Sequence, residues 1–221
     1  MIARLPAKPL LSWFRRLFSW CLLLGFAALP IQDVPWHQRV SKQRHALMHA
    51  APPPELRELD VIVRATDGLW SPLFAAVSRG NKRFSHVGLI VRDDQGQFFV
   101  LHADADDTSG VGQVTATPWG IFEHDALDWA IYRPVALNAQ QTQRTRALAW
   151  QLIGTPFDID FDLGSQDKLY CTEFIAHAFA AGAGLPWPEE RTEWNGKSVL
   201  TVDDLTRSAW LERTPMEKAA H

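Results

Sequence analysis

The chain has 221 residues, 47% of them hydrophobic and 21% charged, with a formal charge of −3. This is enough apolar material for one domain with a full core plus a short extension, and too much for a disordered chain. The acidic balance argues against a phosphate-backbone partner, which needs clustered bases, so no nucleic acid is expected.

Residues 1–30 hold Arg4, Lys8, Arg15 and Arg16 and no acid, and the run from Leu17 to Pro30, LFSWCLLLGFAALP, is almost wholly apolar. The pattern is that of a targeting segment, either a signal peptide or a membrane anchor. The apolar run falls short of the roughly 20 residues of a spanning helix, which favours a signal; Trp13, Phe14 and Trp20 extend it towards an anchor. An ordinary N-terminal helix is the plain alternative. Export implies a periplasmic or inner-membrane-anchored protein, with membrane contact through the N-terminus. Without these residues the chain carries 18 Lys+Arg against 25 Asp+Glu, a formal charge of −7. Residues 31–55 mix polar and apolar positions without a sustained period and close on Pro52, Pro53 and Pro54, as a partly helical linker would.

The domain is expected over 56–213, with 214–221 as a tail. Its first strand is LDVIVRA, 59–65, followed by a helix over 71–80 with Ser71 as N-cap, Pro72 at the first helical position and Gly80 near its end. The segment SHVGLIVRDDQGQFFVLHADA is two β-rich runs joined by Asp-Asp-Gln-Gly, a hairpin signal. A loop, a short helix after Pro118 and a strand over 129–135 come next. A helix then runs from Asn138 to about Ile153, stopped by Gly154 and Pro156. The turn-rich GTPFDIDFDLGSQDKLY leads into an alanine-rich helix from Cys171 to about Ala181, ended by Gly182 and Gly184. The order of elements predicts an α+β fold, an antiparallel sheet of four to six strands with helices segregated to one side.

The two cysteines are Cys21, inside the leader, and Cys171. If the leader is removed, Cys171 has no disulfide partner, so its thiol is either a small buried hydrophobe or retained for chemistry. A thiol in the first turn of a helix faces the positive end of the macrodipole and unpaired backbone N–H groups, which favour thiolate and can hold an oxyanion. A nucleophile also needs a base, and His86 opens a strand directly after a polar loop. If Gly96 takes the left-handed position of a three-residue loop, Asp93 pairs with Gln97 and opposed residue numbers sum to 190. His102 then lies opposite Gly88, diagonal to His86 on the same face, and Asp104 lies opposite His86. A different loop length turns His102 to the other face. His102 or Asp104 is therefore the candidate third group that orients the imidazole. Asp158, Asp160 and Asp162 alternate along an extended tract, but no glycine or terminal Glu completes a calcium loop, so they read as capping carboxylates and no metal or cofactor is expected.

Taken in order, DVIVRATDG, FSHVGLIV, VLHA, GTPFDIDFD and LYCTEFIAHAF resemble the permuted papain-fold cysteine amidases of the YiiX/YaeF-like group, relatives of NlpC-type cell-wall peptidases and of lecithin retinol acyltransferase. The resemblance covers roughly residues 58–182. It implies a circularly permuted papain-like fold in which the histidine strand precedes the cysteine helix. Cys171 matches the nucleophile, His86 the general base and His102 the strand position of a third polar residue. Tyr170 sits where relatives carry an aromatic that helps shape the oxyanion site, and Glu173 is assigned no chemistry. A cysteine hydrolase of an amide or (thio)ester follows, with a cell-wall peptide or a lipid-linked molecule as substrate. Loop tryptophans Trp70, Trp119, Trp187 and Trp194 fit the apolar choice, although tryptophan at loop positions is more often packing or membrane-interface contact than ligand stacking. The alternatives are an acyltransferase and a non-catalytic, membrane-tethered binding module on the same scaffold.

Overall fold

The computed structural model describes residues 36–68, 71–165 and 167–218. The expected leader and Trp70 lie outside these residues, and no helix among the described residues is long and apolar enough to cross a membrane. The chain divides into a segment ending at Lys42 and a compact unit from Gln43 onwards. The linker carries one helix, α1 (Trp36–Met48), before the three prolines.

The unit is organised by a six-stranded antiparallel sheet: β1 (Val61–Ala65), β2 (His86–Arg92), β3 (Phe98–Ala105), β4 (Gly112–Pro118), β5 (Asp128–Pro134) and β8 (Leu211–Glu217), in the order β4-β3-β2-β1-β5-β8. The remaining elements are α2 (Ser71–Val77), α3 (Trp119–His124), α4 (Ala139–Gln151), α5 (Cys171–Ala183), α6 (Val202–Thr206) and a small hairpin, β6 (Thr192–Trp194) with β7 (Lys197–Val199).

Alternation along the strands divides two cores. Val61, Val63, Val87, Leu89, Leu101 and Ala103 face α4, α5 and α6, whose Ala149, Phe174, Ile175, Phe179 and Leu205 complete the larger core. Ile62, Ile90, Val100 and Ile131 point the other way, onto Trp119 and Phe122 of α3. The central strands are therefore buried on both faces, which is why VIV reads as a continuous apolar run. Helices were expected on one side only; α3 covers the second face because Ile62, Ile90 and Ile131 leave an apolar surface there that must be buried.

Helices α4 and α5 lie against one another through Gly182, where an added Cβ would come within 2.4 Å of the Thr145 Cα. Asn138 caps α4 in a reciprocal pair with Gln141. Helix α5 ends at Gly184, whose φ of 71° is the left-handed cap that glycine adopts without a steric cost.

The β2–β3 hairpin has the expected register: Asp93 N–H bonds Gln97 O, Gly96 has φ 80°, and Leu89 opposes Leu101. Four elements differ from the sequence reading. Helix α2 stops at Val77, short of Gly80, because the Gly80 and Asn81 N–H groups turn to the Asp203 carboxylate at 3.0 Å each. The loop expected after Ala105 contains β4, an edge strand rich in small and β-branched residues. The expected tail contributes Thr214 to Glu217 to β8, paired with β5, so the folded unit runs past 213. Finally β6–β7 turns on Asn195 and Gly196, both left-handed at φ 50° and 74°, a two-residue hairpin signal plain in the sequence.

Candidate active site

His86 opens β2, and its Cα pairs across the sheet with Arg64 of β1. His102 projects from β3 on the same face. The space between the rings exists because residue 88 is glycine: an added Cβ would meet Val100 Cγ1 at 2.3 Å and His102 Cβ at 3.4 Å. His86 Nε2 and His102 Nδ1 are 2.9 Å apart, and His102 Nε2 is 3.0 Å from Thr117 Oγ1 on β4. One tautomer set satisfies the chain: His86 Nε2–H donates to His102 Nδ1, and His102 Nε2–H donates to the Thr117 hydroxyl. This leaves His86 Nδ1 as a bare acceptor, without a partner among the described residues.

Phe122 of α3, fully buried, backs the cluster. Its ring centroid lies 4.9 Å from that of His102 and 6.1 Å from that of His86. The Arg64 guanidinium stacks on the same ring at 3.7 Å and donates Nη1–H to Phe122 O at 3.1 Å, while its Nε is buried without a partner. Arg64 is 8% exposed, and no carboxylate approaches it within salt-bridge distance among the described residues. Burial lowers its affinity for protons, opposed by the charges of Asp104 and Asp125.

Cys171 starts α5, half-buried, with the backbone N–H groups of Thr172 and Val87 directed at its sulfur. The thiol sits at a cavity of about 310 Å³ that is also lined by His86, Arg64, Asp104 and Tyr170. Removal from water pushes the thiol up to about 12, against the N–H groups that favour thiolate. Burial and the Arg64 charge hold His86 well below an ordinary imidazole; burial, His86 and Arg64 do the same to His102. The resting pair is therefore neutral thiol and neutral imidazole. Desolvation outweighs the helix terminus, the reverse of what position in the first turn suggests by itself.

The other expected residues separate by role. Asp104 is 3.9 Å from His102 Nδ1 and its side chain is 52% exposed, so it contributes charge at long range, whereas His102 is the group hydrogen-bonded to His86. Tyr170 is 2% exposed and its hydroxyl accepts the Leu200 N–H at 2.9 Å, fastening the segment after β7 to the helix start. Glu173 is buried, accepts the Tyr170 N–H at 3.4 Å, and is pushed up to about 7 by burial and by Asp158 and Asp162. Asp158 accepts N–H bonds from Asp160 and Asp162 at 3.0 and 2.8 Å, and Asp162 accepts one from Gly164 at 2.9 Å, so two of the three alternating carboxylates cap turns. Of the loop tryptophans, Trp194 lines the cavity, Trp187 lies on the surface and Trp119 is buried in the second core.

Sequence reasoning missed Arg64, Thr117 and Phe122. Arg64 left a signal, a charge inside an otherwise apolar central strand; Thr117 and Phe122 left none, since their roles depend on pairing and packing. One group among the described residues has three ligand-type atoms within 4.8 Å of one another, on His86, His102 and Asp104. A cation there would compete with the hydrogen bond between the two rings.

The family described as a permuted papain-like amidase enzyme, YaeF/YiiX, C92, matches residues 62–214. Among solved structures, the metalloprotein yiiX from Escherichia coli O157:H7 superposes with a TM-score of 0.60 at 18% identity, over 72% of this chain and 96% of that one, a likeness of fold. No curated protein matches.

Proposed function

The chain belongs to the permuted papain-like amidase family of YaeF and YiiX, cysteine hydrolases in general, and on that premise we propose that Cys171 cleaves an amide or (thio)ester bond through an acyl-enzyme. The observation that carries this reading is the shared cavity: Cys171 and His86 line one space, and His102 occupies His86 Nε2 so that Nδ1 remains available to a proton.

His86 Nδ1 takes the thiol proton as the sulfur attacks the substrate carbonyl. Backbone N–H groups at the start of α5 stabilise the tetrahedral oxyanion. Collapse breaks the carbonyl–leaving-group bond, and the leaving group carries away the proton from His86. Water, deprotonated by His86, then attacks the thioester and releases the acid and the thiol. The imidazolium formed in each half-reaction is paired to His102, whose Nδ1 accepts its Nε2 proton, so His102 acts as a positioning residue.

The residues at 1–30 support export, to the periplasm or an inner-membrane anchor, where a cell-wall peptide or a lipid-linked molecule is the available substrate. A cation at His86 Nε2 would force the ring proton onto Nδ1 and so would block the base in this reading. The test is to incubate the protein with p-nitrophenyl acetate and locate the acyl adduct by mass spectrometry. An adduct on Cys171, absent in Cys171→Ala, is expected; ester loss that persists in Cys171→Ala would refute the mechanism.

A further inference from the structure

Arg64 lines the cavity shared by Cys171 and His86, yet the proposed reaction gives it no task. It is 8% exposed, and a cation so buried is almost never left unpaired. Of its five N–H donors, only one on Nη1 has an acceptor among the described residues, Phe122 O at 3.1 Å. Nε is buried without a partner, and no carboxylate among the described residues forms a salt bridge with the guanidinium. Stacking on Phe122 at 3.7 Å fixes the guanidinium plane but supplies no acceptor, so it offsets only part of the cost of burying the charge. Asp104, Asp106 and Asp107 also line the cavity, so net charge does not draw an anion in. Asp106 is committed to its own turn, accepting from the N–H groups of Thr108 and Ser109 at 3.1 and 2.8 Å and from the Ser109 hydroxyl at 3.0 Å. Asp104 accepts the Ala105 N–H at 3.1 Å and its side chain is 52% exposed, so water screens it. What Arg64 offers instead is geometry: a planar fork of N–H groups that matches the two oxygens of a carboxylate. Its Cα pairs with that of His86 across β1 and β2, which sets the two Cβ atoms about 5 Å apart. An anion held there belongs to the part of the substrate beside the scissile bond.

From this we propose that Arg64 is a specificity-determining residue that receives a carboxylate of the substrate, which makes the protein a hydrolase of acidic amides or esters. The inference rests on the Cys171 hydrolase reading. A carboxylate at Arg64 also offsets the charge that, after burial, holds His86 below an ordinary imidazole, so the bound substrate strengthens the base that acts on it.

The experiment compares p-nitrophenyl hydrogen adipate with its neutral methyl ester, in turnover and in binding. In turnover, with the Cys171→Ala rate subtracted, wild type is expected to favour the acid about 10- to 100-fold in kcat/KM, the worth of a hydrogen bond to a charged group. That ratio needs no variant to fold; in Arg64→Gln it is expected to fall to about one, and in Arg64→Lys, which keeps the charge without the fork, to lie between. In binding, both intact esters are titrated into Cys171→Ala by calorimetry, and the acid is expected to lose its advantage when Arg64→Gln is added. Cys171-dependent cleavage that favours the neutral ester, or shows no preference, overturns the carboxylate inference and leaves the hydrolase reading standing. Stronger displacement of the acid by inorganic phosphate than by acetate assigns the site to a phosphate group and overturns it too. If neither ester acylates Cys171, the hydrolase reading fails, and the Arg64 dependence of binding then decides the carboxylate site by itself.

Discussion

The neutral resting state of Cys171 makes a prediction that separates this site from one holding a preformed thiolate–imidazolium pair. Burial moves the thiol from 9.0 to about 12, so at neutral pH the thiolate population is about a thousandfold below that of an ordinary thiol. Nucleophilicity rises with pKa at a Brønsted slope of about 0.4–0.5, which returns about 20-fold. Alkylation of Cys171 by iodoacetamide at pH 7 is therefore expected to run about 50-fold slower than that of a free cysteine peptide. The assay is quenched-flow or timed labelling with mass spectrometry from pH 5 to 10, with the unfolded protein in guanidinium as the internal control. The rate should climb log-linearly across this range, and unfolding should restore ordinary reactivity. Labelling at pH 6 that is faster than the control peptide would refute the reasoning, because it requires an imidazolium at His86 that Arg64 and desolvation disfavour and a thiolate at Cys171 that desolvation disfavours.

Three further outcomes follow from the geometry. His102→Ala leaves the buried His86 Nε2–H without its acceptor and frees the ring to rotate, so kcat should fall about 100-fold with little change in KM, read from steady-state ester hydrolysis. Glu173→Gln keeps the helix-start contact to Tyr170 and removes a carboxyl pushed up to about 7. A raised carboxyl means the folded state holds its proton longer. Wild-type stability should therefore fall as pH rises from about 4.5 to about 7, by at most about 3 kcal/mol, and the variant should show a flatter profile by urea titration. Gly88→Ala drives a Cβ to 2.3 Å from Val100 Cγ1 between the two histidine strands, and should cost about 1–3 kcal/mol in the same titration while displacing the imidazole pair.

Much of the site was legible before the fold was. A lone thiol in a helix's first turn, a histidine opening a strand, and a hairpin whose Gly96 fixes the register were enough to place His86 and His102 on one face. These are local rules: turn type, period-two alternation and helix capping act within a few residues. The two errors at the sheet's edges have a common cause. β4 and β8 lack the apolar run of the central strands because edge strands need less burial, and their pairing is set by partners far along the chain. Asn195–Gly196 of β6–β7, by contrast, is a local turn signal that needs no distant partner.

Sequence by itself determined which groups are available, their order along the chain, and the α+β alternation that brings the histidine strand before the cysteine helix. Tertiary structure alone decided their chemistry. It stacked Arg64 on Phe122 and set both imidazoles against the same ring, chose His102 over Asp104 as the partner of His86, and tied Tyr170 to Leu200. It also set desolvation against the helix terminus and let desolvation win at Cys171. The physical reason is that protonation states and ring orientations depend on what surrounds a group in three dimensions, and those neighbours arrive from strands and helices that local pattern cannot relate.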